Sequence, residues 1–331
     1  MATHSNGKLR LLYTLQILKK YSDEENPINS ADIIKHLETY EINAERKTVY
    51  EDLEALLDFG YDIIKTGTPK KGWFLGEREF ENPEIYLLCD AVRSAKFISP
   101  KKTRELLSKL NSMLSDRTNA RRNEAVFFTA SDKCGNEEIY YSIDTISRAI
   151  EEKRQIKLCY YSRRFDSNRQ VFRNTKEMII NPYALAWQDD YYYLIGNHVK
   201  YDNLIHLRLD KITSAEILNT PSRHFSEVSP YKDRFDTADY TNKLFSMFSG
   251  EVTDIQLCCN KKITEQVLDR FSEDIFITNV TDSEFSFRVK AAISPALVTW
   301  IMNYGSDLKV IKPDSLKEMI ILRAEEILKN Y

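Results

Sequence analysis

The chain has 331 residues, 42% hydrophobic and 29% charged, with 47 Lys and Arg against 50 Asp and Glu for a net charge of −3. This is enough apolar material for two or three domains with their own cores, and it excludes a disordered or low-complexity chain. No run of about 18 apolar residues occurs and the first ten residues lack an apolar signal core, which predicts a cytoplasmic protein with no membrane partner.

Lys8 to Gly76 reads as three helices and a hairpin. Leu11, Leu15 and Leu18 recur at helical spacing; Ser30 is a candidate N-cap for a second helix burying Ile33, Ile34 and Leu37. Asn43 can cap a third, whose stripe is Val49, Leu53, Leu56 and Leu57 and whose end is marked by Gly60. Strands at Tyr61–Lys65 and Gly72–Leu75 then flank a turn bearing Lys70 and Lys71. Three helices and a β-wing make a winged helix-turn-helix. Arg46, Lys47, Thr48 and Tyr50 gather where such folds touch DNA, and Lys70 and Lys71 sit at the wing tip. Against that, the unit carries ten Lys/Arg and twelve Asp/Glu, and small trihelical folds also serve as protein-interaction modules.

From Phe80 to Asn136 two apolar stripes follow, Ile85, Leu87, Leu88, Ala91 and Val92, then Leu106, Leu107, Leu110 and Leu114. They predict two helices that pack on a partner, either a second copy in a homodimer or the chain's own next domain. Asp116 to Asn123 reads as an exposed joint.

A helix over Ile143–Lys153 is expected after Ser142, then a strand at Ile156–Tyr161. Between Arg154 and Lys176 stand seven Lys/Arg and one acid, Asp166, with Tyr160, Tyr161 and Phe165 interleaved. Such a window either decorates a solvated loop or binds phosphates and bases. Asn181 to Ile212 then alternates apolar and polar residues as paired strands broken at Gln188-Asp189-Asp190, with His206 and Arg208 on the face opposite Ile205, Leu207 and Leu209.

The motif residues here are Pro182, Tyr183 and Leu185, then Tyr192-Tyr193-Leu194, then Arg208, Asp210, Lys211 and Ile212. This pattern resembles the WYL domain of bacterial transcriptional regulators, with Tyr192 in place of Trp and Lys211 in place of Arg. The resemblance implies an Sm-like small β-barrel that senses an anionic, nucleotide-like or single-stranded nucleic-acid ligand, with Tyr161, Arg169, Tyr193, His206 and Arg208 turned toward it. The segment ERKTVYEDLEALLDFGYDI is similar to the DNA-reading helix of the same regulators, except that Glu51 replaces an Arg. It implies double-stranded operator DNA as a partner and a homodimer as the assembly. The alternative within the family is an accessory protein that modulates a nuclease or defence system without binding operator DNA.

After Pro221, residues Ser222 to Asp239 read as a linker. Beyond it the order β-α-β-β-α-β plus a helix predicts a ferredoxin-like domain, and Ser315 with Glu318 predicts a capping box on the last helix. Trp300, Gly305 and Pro313–Leu316 are similar to the C-terminal extension of WYL proteins. The expected fold class is therefore α+β multidomain: winged helix-turn-helix 1–79, helical connector 80–137, WYL domain 138–221, linker 222–249 and ferredoxin-like domain 250–331.

Catalysis has little to stand on. Cys89, Cys134, Cys159, Cys258 and Cys259 form no CxxC pair, and the five histidines show no HExxH spacing. With no Gly-rich phosphate loop or nucleophile elbow, we expect no enzyme, no metal and no cofactor.

Overall fold

The structure, a computed structural model, describes residues 3–123, 133–273 and 275–331. It is a mixed α+β molecule with a helical N-terminal region and three antiparallel sheets among the described residues. Its contacts divide into two compact units, Met1–Cys134 and Gly135–Tyr331.

The first unit begins with α1 (Thr3–Tyr21), α2 (Ser30–Glu38) and α3 (Arg46–Phe59), followed by the hairpin β1 (Ile63–Thr66) and β2 (Gly72–Leu75). Ile17, Leu18, Ile33, Leu37, Val49, Leu53 and Leu56 form its core with Ile63 and Trp73. The caps differ from the expected ones. Asn29, not Ser30, caps α2: its side chain accepts from Ala31 and Asp32 N–H at 2.8 and 3.0 Å, and Asp32 accepts back from Asn29 N–H at 3.1 Å. Glu45, not Asn43, precedes α3, with the Thr48 hydroxyl bonded to both the N–H and the carbonyl of Glu45. Gly60 closes α3 at φ +110°, a conformation that favours glycine.

Helices α4 (Asn82–Ser94), α5 (Pro100–Asn111) and α6 (Asp116–Asn123) complete this unit around Ile85, Cys89 and Leu114. They are tied to the end of α1. Arg78 donates to the carbonyls of Lys19, Ser22 and Met113 at 2.9, 2.6 and 3.3 Å, and Ser115 donates to Asp23 at 2.6 Å. The tract expected as an exposed joint is helical, and its Arg117 donates to Asn26. Residues 124–132 of the expected connector lie outside the described residues.

The second unit opens with α7 (Ile139–Glu151), which starts four residues before the expected Ile143 because Ser142 is a buried first-turn residue and not a cap. Its buried Ile139, Ile146 and Ala149 face a sheet of β3 (Arg154–Phe165), β4 (Val171–Gln188), β5 (Tyr191–His198), β6 (Leu204–Arg208) and β7 (Ile212–Pro221). Fully burying an Ile stabilises by about 1.5–3 kcal/mol, so this contact is a main attachment of the helix. The strand order is β6-β5-β4-β3-β7. Its two edge strands are joined by a single 3-10 turn, Leu209–Lys211. A flat five-stranded sheet would hold its edges about 19 Å apart, farther than three residues reach, so the sheet must curl on itself.

The expected linker is packed rather than solvated. It forms a 3-10 turn at Phe225–Glu227 and the helix α8 (Thr237–Asn242), and Tyr231, Phe235 and Tyr240 pack with Tyr183 and Leu244. These aromatics follow neither strand nor helix period, so the segment has no periodic signal. Then come β8 (Val252–Asn260), α9 (Thr264–Phe271), β9 (Phe276–Val280), β10 (Glu284–Ala292), α10 (Pro295–Met302), β11 (Leu308–Lys312) and α11 (Asp314–Leu328), in the expected order, with sheet order β11-β8-β10-β9. Helix α11 follows Pro313 with no side-chain cap bond, so the expected capping box is absent.

Candidate nucleic-acid interface and sensor site

At the N-terminus of α3, Arg46 and Lys47 are exposed. Arg46 Nε and Nη2 donate to the Tyr50 hydroxyl at 3.1 and 2.9 Å, which favours the phenolate and lowers the Tyr50 pKa. Tyr50 stands edge-on to Trp73 of β2, with centroids 5.3 Å apart, so the hairpin supports the helix residue. Thr48 is spent on the cap described above. Lys47 lies 4.0 Å from Glu51, a surface pair worth little in water. Lys70 and Lys71 are exposed at the hairpin turn. The helix itself is fixed by an ion pair that periodicity does not reveal: Arg10 of α1 donates to both oxygens of Asp52 at 2.7 and 3.0 Å, and Asp52 is only 5% exposed.

In the curled sheet the five expected ligand residues are not equivalent. Arg208 and Tyr193 are cross-strand partners on β6 and β5. Arg208 Nε and Nη2 donate to the two oxygens of Asp210 at 2.9 and 2.7 Å, and its guanidinium carbon lies 3.4 Å from the centroid of the Tyr191 ring. Burial disfavours the Arg208 charge, but the Asp210 bonds outweigh it and raise the pKa. Tyr161 is buried; its hydroxyl lies 3.4 Å from the Asp210 carbonyl, and Arg173 stacks over its ring at 4.5 Å. Tyr193 is half-buried, which raises its pKa.

His206 bonds to the segment that follows the sheet. Nδ1 lies 2.7 Å from the Met247 carbonyl and must donate, which leaves Nε2 to accept from the Tyr240 hydroxyl at 2.9 Å. Burial lowers its pKa, against the Met247 bond. Arg169, at φ +63°, sits at the turn of the β3–β4 hairpin. The last β3–β7 pair is Tyr160–Ile212, so the end of β3 at Phe165 lies about 16 Å farther on.

Sequence reasoning named Lys211 as a motif residue but left it out of the ligand-binding set. Burial lowers its pKa, and the nearby Arg208 and Arg163 lower it further while Asp210 opposes them. Three cations around one carboxylate leave a local excess of positive charge that an anion can offset. The signal was present in the sequence as Arg208-x-Asp210-Lys211; what was missing was the position of Arg163 on β3, the strand that neighbours β7 in the sheet. Among the described residues no group of three His, Cys, Asp or Glu could hold a metal ion, and no helix is long and apolar enough to cross a membrane.

Comparison with known proteins agrees with these motifs. Residues 142–217 match the model of the WYL domain, and residues 252–328 match that of the WCX domain. The chain thus carries a WYL domain followed by a WCX domain. No curated protein matches it. Among solved structures, it is similar to the proteasome accessory factor B/C (PafBC) of Arthrobacter aurescens, at 17% identity and a TM-score of 0.28, over 98% of this chain and 49% of that one. The chain therefore spans about half the length of that relative.

Proposed function

We propose that this WYL-domain protein is a transcription regulator that reads operator DNA through α3 and the β1–β2 hairpin and responds to an anion at the curled sheet. In this reading the N-terminal helices and hairpin are a winged helix-turn-helix, the curled sheet is an Sm-like barrel and the C-terminal sheet is ferredoxin-like. The observation that carries it is the placement of Arg46 and Lys47 at the exposed start of a helix held rigid by Arg10–Asp52, with Lys70 and Lys71 at the tip of the adjoining hairpin. Phosphate contacts need cations on rigid elements, and helix N-termini are where such helices meet DNA.

The sensor contact is assigned to Lys211 and Tyr193, with Arg208 holding the wall in place through Asp210. The ligand is anionic and nucleotide-like or a single-stranded oligonucleotide, because charge excess and rings adjoin. It shifts operator affinity only by binding two states of the protein unequally. A homodimer fits this reading: α4 leaves Leu87 and Leu88 exposed at 72% and 40%, and two-fold half-sites demand matching protein symmetry.

The test is selection of genomic fragments by the full chain and by R46Q/K47Q. The wild type should enrich discrete promoter fragments and the variant should not. Equal enrichment by both, or none by the wild type, contradicts the DNA reading.

A further inference from the structure

The β3–β4 hairpin outgrows its sheet. Strand β3 pairs with β7 only up to Tyr160, and β4 pairs with β5 only from Ile180 onward, so residues 161–165 and 171–175 form a two-stranded ribbon with no third strand among the described residues. At about 3.3 Å per residue it projects roughly 16 Å. Its register assigns its faces. Tyr161, Arg163 and Phe165 share one face with Thr175, Arg173 and Val171, while Ser162 and Arg164 share the other with Asn174 and Phe172, and Tyr160 and Lys176 stand at the root of that second face.

Two features are costly for the isolated chain. Arg163 faces Arg173 directly across the strands, an arrangement that destabilises a ribbon unless an anion intervenes. Phe165, Val171 and Phe172 are 77%, 59% and 45% exposed at the tip. The acid in this stretch does not neutralise the arginines, because the Asp166 carboxylate accepts from Asn168 and Gln170 N–H at 2.9 and 2.8 Å to shape the turn.

We propose that this ribbon is a second nucleic-acid arm that enters a groove of duplex DNA. A two-stranded ribbon fits the major groove, and cations on both faces meet phosphates on both walls. A single strand would be better served by rings gathered on one face, whereas here Phe165 and Phe172 point to opposite faces. The exposed tip rings are placed to contact thymine methyl groups or base edges.

The test is anisotropy titration of the full chain against a mixed-sequence duplex of about 30 base pairs and an equally long oligo-dT, across a salt series. R164Q/R173Q removes one cation from each face. R164Q/K176Q removes two cations from one face and keeps the Arg173–Tyr161 stack, so a fold defect in the first variant cannot mimic the result. Each lost phosphate contact lowers the slope of log K against log salt by about 0.9, so either double variant should lose about 1.8 in slope and roughly 60-fold in duplex affinity at 0.1 M salt. R46Q/K47Q should keep this ribbon-dependent part of duplex binding even if the helix proves to read nothing. Wild-type slope and affinity in both ribbon variants, or a loss confined to oligo-dT, overturns the duplex arm.

Discussion

Arg208→Ala is the most informative single change in the sheet. Arg208 is 26% exposed and its partner Asp210 only 6%, so the variant strands a buried carboxylate. Breaking a buried pair by removing one partner costs about 3–5 kcal/mol, and partial exposure of the guanidinium screens some of it away. The stacking on Tyr191 adds about 0.5–2 kcal/mol to the loss. A net cost of roughly 2–4 kcal/mol should lower the melting temperature of the second unit by about 4–16 °C, at 2–4 °C per kcal/mol for its size. Arg208→Lys keeps the charge but not the fork, and should fall between. R208A/D210N removes both charges and should regain much of the loss. Differential scanning calorimetry reads all four proteins. An unchanged melting temperature in R208A, together with a lost oligonucleotide response, would refute the structural role and make Arg208 the ligand contact.

Three further outcomes follow from the same geometry. Asp52→Ala strands Arg10 beneath α3 and should cost about 2–3 kcal/mol in the first unit, read by urea unfolding of the full chain with a probe at Trp73. Burial holds the His206 pKa below its ordinary 6.5, so the unfolded chain binds a proton before the native one does; stability is intact above pH 6.5 and falls below it, by at most about 1.4 kcal/mol per pH unit. His206→Gln should flatten that dependence in melts between pH 7.5 and 5, and an equally steep profile in the variant would place the sensitive group elsewhere. Light scattering at micromolar concentration should report about twice the 38.7 kDa chain mass, whereas a monomer would leave the exposed α4 leucines without the proposed partner.

Much of this architecture is local and so was readable. Gly60 announces the end of α3 because only glycine tolerates φ +110° cheaply, and Asp189-Asp190 announces the β4–β5 turn because short acidic side chains tolerate left-handed backbone, here φ +49° and +63°. Alternation separated His206 and Arg208, which pair with Ile195 and Tyr193, from Leu207, which pairs with Leu194, but it does not reach Leu209, which lies in the 3-10 turn. What it could not supply is partners distant in sequence. Arg10 and Asp52 lie 42 residues apart, and His206 meets Tyr240 and Met247 across 34 and 41 residues. The cap of α2 was misplaced by one residue because Asn29 and Ser30 are both good cap types, and only the backbone decides between them. Arg208 was legible in type and not in state: Asp210 stands two positions on, yet only the 3-10 turn at Leu209–Lys211 brings its carboxylate under the fork.

In the proposed function, α3 and the hairpin read duplex DNA through Arg46, Lys47, Lys70 and Lys71. The most direct measurement is the affinity of the full chain for its selected promoter fragment across a salt series, beside R46Q/K47Q and K70Q/K71Q. Four phosphate contacts per protomer set a contribution of about −3.6 to the slope of log K against log salt, and each double variant should remove about half of that. A slope unchanged in both variants, or binding indifferent to salt, would contradict it.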